Sequence, residues 1–104
     1  TDPAYCPRYE GGPEHRDGAY HQGTVWPWLM GALVDAWLRA HGNDAATKAE
    51  ARQRFIEPLA ARLGAAGIDH LFEIAAGDAP HTPRGCPFQA WSLGELIRAQ
   101  QMTA

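Results

Sequence analysis

The sequence predicts an all-α protein, about three helices joined by long loops. Two observations carry that expectation. Apolar residues recur at helical spacing over residues 24–41, 43–65 and 87–101, and no strand-like alternation persists anywhere. Between these stretches glycine and proline are frequent, as they are where a chain turns or loops.

Residues 1–23 contain Pro3, Pro7, Pro13, Gly11, Gly12, Gly18 and Gly23 and show neither period, so they are expected to form an extended arm ahead of a helical part, residues 24–104. The first helix is expected from Thr24 to His41, with Thr24 as cap, Pro27 in the first turn and Gly42 as the stop. Trp26, Met30, Leu33 and Trp37 fall on one face, while Val25, Leu29, Val34 and Leu38 cover much of the remainder. Asp35 and Arg39 form its one obvious i,i+4 pair. A helix apolar on nearly every side needs neighbours on nearly every side, and so short a chain cannot supply enough of them.

The second helix is expected to start near Asn43 or Asp44 and to run to Leu63 or Ala65. Phe55, Ile56, Leu59 and Leu63 form its inner stripe, and Pro58 is expected to kink it. Gly64 and Gly67 end it. Residues 67–86 read as a second long loop, and a third helix is expected from Pro87 to Gln101, with Leu93, Leu96 and Ile97 facing inward.

Composition narrows the function. Apolar residues make up 45% and charged residues 20% of the 104, which suits a globular chain of one domain at most. The net charge of −3 comes without a basic face, so neither nucleic acid nor an anionic membrane is an expected partner. The longest apolar stretch, Val25 to Leu38, contains Asp35 and is too short to span a bilayer. The N-terminus shows no signal-peptide pattern, and a cytoplasmic location is expected. Cys6 and Cys86 lie in loops that could meet, yet two free thiols is the expected state.

Groups able to do chemistry gather in the loops next to helix ends. The first cluster is Tyr20-His21-Gln22-Gly23-Thr24-Val25-Trp26-Pro27-Trp28. The second is Phe72-Glu73-Ile74, followed by Asp78, His81, Arg84, Gln89 and Trp91. Sugar sites combine such parts: planar polar groups for hydroxyls, flat aromatic faces, and a carboxylate at the scissile bond. Taken singly, each residue has a plainer role, the tryptophans as core, the histidines as hydrogen-bond partners, and Glu73 as a loop residue. Cys6, His21, His81 and Cys86 lack the compact paired spacing of zinc sites, so no metal is expected. Ser92, His81 and Asp78 do not form a triad pattern, because no nucleophile elbow surrounds the serine.

The stretch from Tyr20 to Leu29 resembles the approach to an inner helix in glycogen debranching enzymes of the amylo-α-1,6-glucosidase family. Glu73-Ile74, Gly77-Asp78-Ala79-Pro80-His81, Pro83-Arg84-Gly85-Cys86-Pro87 and Gln89-Ala90-Trp91-Ser92 resemble that family's closing segment, in the same order. The similarity runs from about Arg8 to Arg98, and glucoamylases show a looser version of it. Two positions depart from the pattern. The family usually has a small residue where Phe72 stands and Phe-Asp where Ala75-Ala76 stand.

The resemblance implies that the chain is the C-terminal part of an (α/α)6 toroid. It implies an inverting hydrolase of α-1,6-glucosidic branch points, with Glu73 as general base. Trp26, Trp28 and Trp91 would serve as sugar platform, and His21, Gln22, His81, Arg84 and Gln89 as hydroxyl contacts or loop braces. The implied partners are an α-glucan or oligosaccharide and either the rest of the toroid or another copy of the chain. Acid–base hydrolysis of this kind calls for no cofactor. A non-catalytic carbohydrate-binding or structural helical module from the same family is the alternative.

Overall fold

The computed structural model describes residues 2–104, so Thr1, at the tip of the expected arm, lies outside them. The architecture is all-α, with one two-stranded ribbon. Its helical elements are α1 (Pro13–Ala19), α2 (Leu29–His41), α3 (Ala45–Ala51), α4 (Glu57–Ala60) and α5 (Ala90–Met102). A π-helical turn, Arg52–Ile56, joins α3 to α4 without a break. The strands β1 (Ile74–Ala75) and β2 (Pro83–Arg84) pair antiparallel, Ile74 with Arg84 and Ala75 with Pro83.

Several boundaries follow from local chemistry. Gly42 ends α2 in the left-handed conformation at φ 99°, where a side chain would be strained. Asp44 caps α3, its carboxylate accepting from the Thr47 N–H at 2.8 Å. Pro58, expected to kink this helix, is instead preceded by a π turn. The π turn directly before it sends the Glu57 N–H to the Arg52 carbonyl, which moves the backbone away from the proline ring.

The structure corrects five expectations. Ile97 is exposed rather than inward, and the second helical stretch ends at Ala60 rather than at Leu63 or Ala65. The arm is not extended throughout, since residues 13–19 form α1. Pro13 is pre-set for a first helical turn and Glu14 favours a helix N-terminus. The next helix starts at Leu29 rather than Thr24. Thr24 spends its hydroxyl on the Tyr20 carbonyl at 2.6 Å, and Val25 is drawn into a β-bridge with Ala75. Trp26, Pro27 and Trp28 then make a tight turn, with Leu29 and Met30 N–H groups bonded three residues back. The final helix starts at Ala90 rather than Pro87, because the Gln89 N–H is committed to the Leu71 carbonyl at 2.8 Å.

The core lies where α2, α5 and the α3–α4 helix meet. Val34, Leu38, Ile56, Leu71 and Leu96 are its larger buried members, with Trp37, Phe55 and Met102 packed at its margin. Gly31, buried in α2, faces the Glu95–Arg98 pair of α5, and a Cβ there would push the Glu95 carboxylate aside. Both cysteines are free thiols.

Candidate functional site

The two long loops are tied edge to edge. Val25 and Ala75 exchange both backbone hydrogen bonds, each 2.9 Å, so the segment before α2 becomes a third strand-like edge on the β1–β2 ribbon. The N-terminal arm adds a strap across them. The Cys6 N–H donates to the Gln22 carbonyl and the Gly77 N–H to the Pro7 carbonyl, both at 2.8 Å. Arg8 reaches Asp78 through Nε at 3.0 Å and Nη2 at 2.8 Å. Asp78 is therefore an anchor for the strap, and the Arg8 hydrogen bond holds its carboxyl below the usual carboxylate range.

Glu73 sits where these strands converge. Its Oε1 accepts from the Tyr20 hydroxyl and its Oε2 from the Cys86 N–H at 2.8 Å. Its own N–H is bonded to the Cys86 carbonyl at 2.9 Å, so the residue is fixed at backbone and side chain together. Burial pushes the Tyr20 hydroxyl up to about 12, with the hydrogen bond and charge of Glu73 adding to the shift. Tyr20 thus stays a proton donor to the carboxylate across the neutral range.

Of the aromatic groups, Trp26 packs edge-on against Tyr20, centroids 4.6 Å apart, and its Nε1 donates to the Tyr20 carbonyl at 3.1 Å. His21 stacks flat on Trp26, 5.1 Å between centroids and 5° between planes. Trp28 and Trp91 form a separate stack at 4.1 Å, joining the start of α2 to the start of α5. With Trp91 54% exposed, that pair is open to solvent.

The remaining expected contacts occupy other posts. His81, at φ 57°, sits at a turn with Nδ1 3.0 Å from the Ala76 carbonyl, which can only accept, so the ring nitrogen donates. Its own carbonyl takes the Arg62 guanidinium at 2.8 Å. Arg84 lies on β2 with its guanidinium bonded to the Pro83 carbonyl, 3.0 Å. Gln22 and Gln89 use backbone atoms as loop ties. Among the described residues, no hydrogen bond joins His21, Gln22, His81, Arg84 or Gln89 to Glu73. Nor do three or more His, Cys, Asp or Glu side chains gather as metal ligands would.

Two contributors were not singled out from the sequence. Tyr20 stands within the first motif, but nothing local announces that it faces a residue 53 positions away. The Cys86 backbone donor depends on the ribbon, which two-residue strands do not signal.

The Glu73 carboxylate is thus braced by Tyr20 and the Cys86 N–H, with Trp26 and His21 packed around Tyr20. The chain belongs to the amylo-alpha-1,6-glucosidase family, the C-terminal family of glycogen debranching enzymes, whose sequence model matches residues 1–98. No curated protein and no solved structure gives a significant match.

Proposed function

We propose that this chain is the part of an inverting α-1,6-glucosidase that supplies the general base, Glu73, acting on branch points of glycogen-type glucans in the cytoplasm. The observation that carries the reading is the Glu73 carboxylate, held on both oxygens at the junction of the two loops. Family membership supplies the substrate class.

In such a reaction water attacks the anomeric carbon from the face opposite the leaving group. Glu73 takes the proton of that water as the new carbon–oxygen bond forms. The bond to the 6-oxygen of the neighbouring glucose breaks, and a second carboxyl protonates that oxygen. The two carboxyls must stand about 6.5–9.5 Å apart, on opposite sides of the ring. The second one comes from helices beyond this segment, in a complete (α/α)6 toroid. The Trp28–Trp91 stack offers an exposed flat face suited to a neighbouring glucose, while Trp26 and His21 support Tyr20 from behind. His81, Arg84, Gln22 and Gln89 keep the loops in shape. The neighbouring helices of the toroid, or another copy of the chain, cover the groove beside α2. Its volume is about 620 Å³, and Leu29, Leu33, Phe55 and Phe72 are among its walls.

In the complete enzyme Glu73→Gln is expected to lower kcat on a branched dextrin by about 10²–10⁴-fold, the contribution of a positioned base. Asp78→Asn removes only a strap contact and is expected to leave kcat within about threefold, since an exposed ion pair contributes little. Near-normal turnover by Glu73→Gln would remove the assignment.

A further inference from the structure

We propose that Tyr20 is a positioning residue for the base. Its hydroxyl, donated to Oε1 of Glu73, fixes the plane of the carboxylate together with the Cys86 N–H on Oε2 and leaves a lone pair aimed at the attacking water. The inference rests on the reading of Glu73 as base.

A carboxylate offers about four lone-pair sites, two on each oxygen. One donor on each oxygen stops rotation about the last side-chain bond and still leaves a free site on either atom. Without the Tyr20 hydroxyl, only the Cys86 N–H would hold the group, and the other oxygen could swing. A base that must meet water in one geometry loses rate steeply when that geometry is spread.

Tyr20 is itself held. Its carbonyl accepts from both Thr24 Oγ1 and Trp26 Nε1, at 2.6 and 3.1 Å. Its ring lies against Trp26 on one side and Tyr9 on another, with centroids 4.6 and 5.4 Å away. A tyrosine hydroxyl is protonated at neutral pH in any case, and burial and Glu73 push this one further up, to about 12. It is a fixed donor that never trades protons with the base. The residue thus acts through Glu73 and needs no contact with sugar.

The test is a double-mutant cycle in the complete enzyme with a branched dextrin as substrate. Tyr20→Phe removes one oxygen and keeps the ring packing. It is expected to lower kcat by about 10–100-fold with KM nearly unchanged, and to have no further effect in a Glu73→Gln background. A merely structural role would raise KM or lower the melting temperature, and its loss would add in full to that of Glu73→Gln. Full activity in Tyr20→Phe, or full additivity in the cycle, overturns the proposal while leaving Glu73 as base. Normal activity in Glu73→Gln overturns the base assignment and this inference with it. If Tyr20→Phe does not fold, the unmodified enzyme still decides. A tyrosine hydroxyl proton held by a carboxylate gives a slowly exchanging, downfield NMR signal, and its absence overturns the proposal.

Discussion

Gly85 lies directly against the Glu73 carboxylate, and its backbone is left-handed at φ 68°. Both facts exclude a side chain. An L-residue in that conformation costs about 1–2 kcal/mol, and a Cβ would collide with Glu73 Oε2. Gly85→Ala is therefore expected to displace the base as well as to strain the turn. In the complete enzyme kcat should fall about 10²-fold, the scale of a misplacement near 1 Å, while Gly94→Ala, inside α5 with open space around it, should leave kcat unchanged and raise the melting temperature slightly. Turnover and melting curves of the two variants make the comparison. The same residues show how far the site could be seen in advance. Glu73, Trp26, Trp28 and Trp91 each read alone as an ordinary loop or core residue, and only the resemblance of the ordered runs around them to a known family marks them out. The roles of Tyr20 and Gly85 are not visible even so, because they exist only once residues 20 and 85 are brought to residue 73 by the Val25–Ala75 and β1–β2 pairings. Those pairings involve too few residues to leave a period-two pattern.

The arm and its strap belong to the scale of elements. Arg8 and Asp78 are both well exposed, with side chains 60% and 40% accessible, so their pair is screened by salt. Asp78 has its carboxyl lowered in the folded state by the Arg8 hydrogen bond. A depressed folded value means that the contribution is complete above the ordinary aspartate range, about 3.9, and disappears as pH falls through the lowered value. The strap is thus expected to stay closed from neutral pH down to about 4 and to loosen only in stronger acid. Amide exchange at the Cys6 and Gly77 N–H groups would follow it, since both donate across the strap. Asp78→Asn should speed that exchange already at neutral pH, and high salt should do the same to the unmodified protein. Unchanged exchange in Asp78→Asn would mean that the backbone bonds alone hold the arm. Of the elements themselves, the three long helical stretches were legible because each has an apolar stripe, and two boundaries because Gly42 and Asp44 are strong local signals. Helix α1 leaves little trace in the sequence because its residues are mostly polar and bury only Ala19, with Pro13 and Glu14 as its only cues. The sequence puts the starts of α2 and α5 too early because distant partners, Ala75 and Leu71, claim Val25 and Gln89 ahead of them.

At the scale of the whole molecule, the chain is a slab of 47 × 34 × 20 Å. Its radius of gyration, 14.7 Å, exceeds the value of about 13 Å for a compact domain of this length. Helix α2 packs against α5, α3 and the π turn, yet part of its surface stays open. Val34 and Leu38 of that helix are buried, but Leu29 is 48% and Leu33 46% exposed, and Val25 beside them 45%. Together with Phe55 and Phe72 they line the groove proposed as the seat of neighbouring helices. Burying one large apolar side chain is worth roughly 1.5–3 kcal/mol, so leaving several in water forfeits much of what stabilises a small domain. Scattered exposed leucines need no explanation, whereas a contiguous apolar groove marks an interface. The isolated 104-residue chain is therefore expected to self-associate, and sedimentation at micromolar concentration should give a mass above its 11.3 kDa. Leu29→Glu with Leu33→Glu should abolish that association while sparing the core, because neither side chain belongs to the buried cluster. A stable monomer with sharp, dispersed NMR signals in the unmodified chain would show that the groove is tolerated in water. No neighbour would then be needed to cover it.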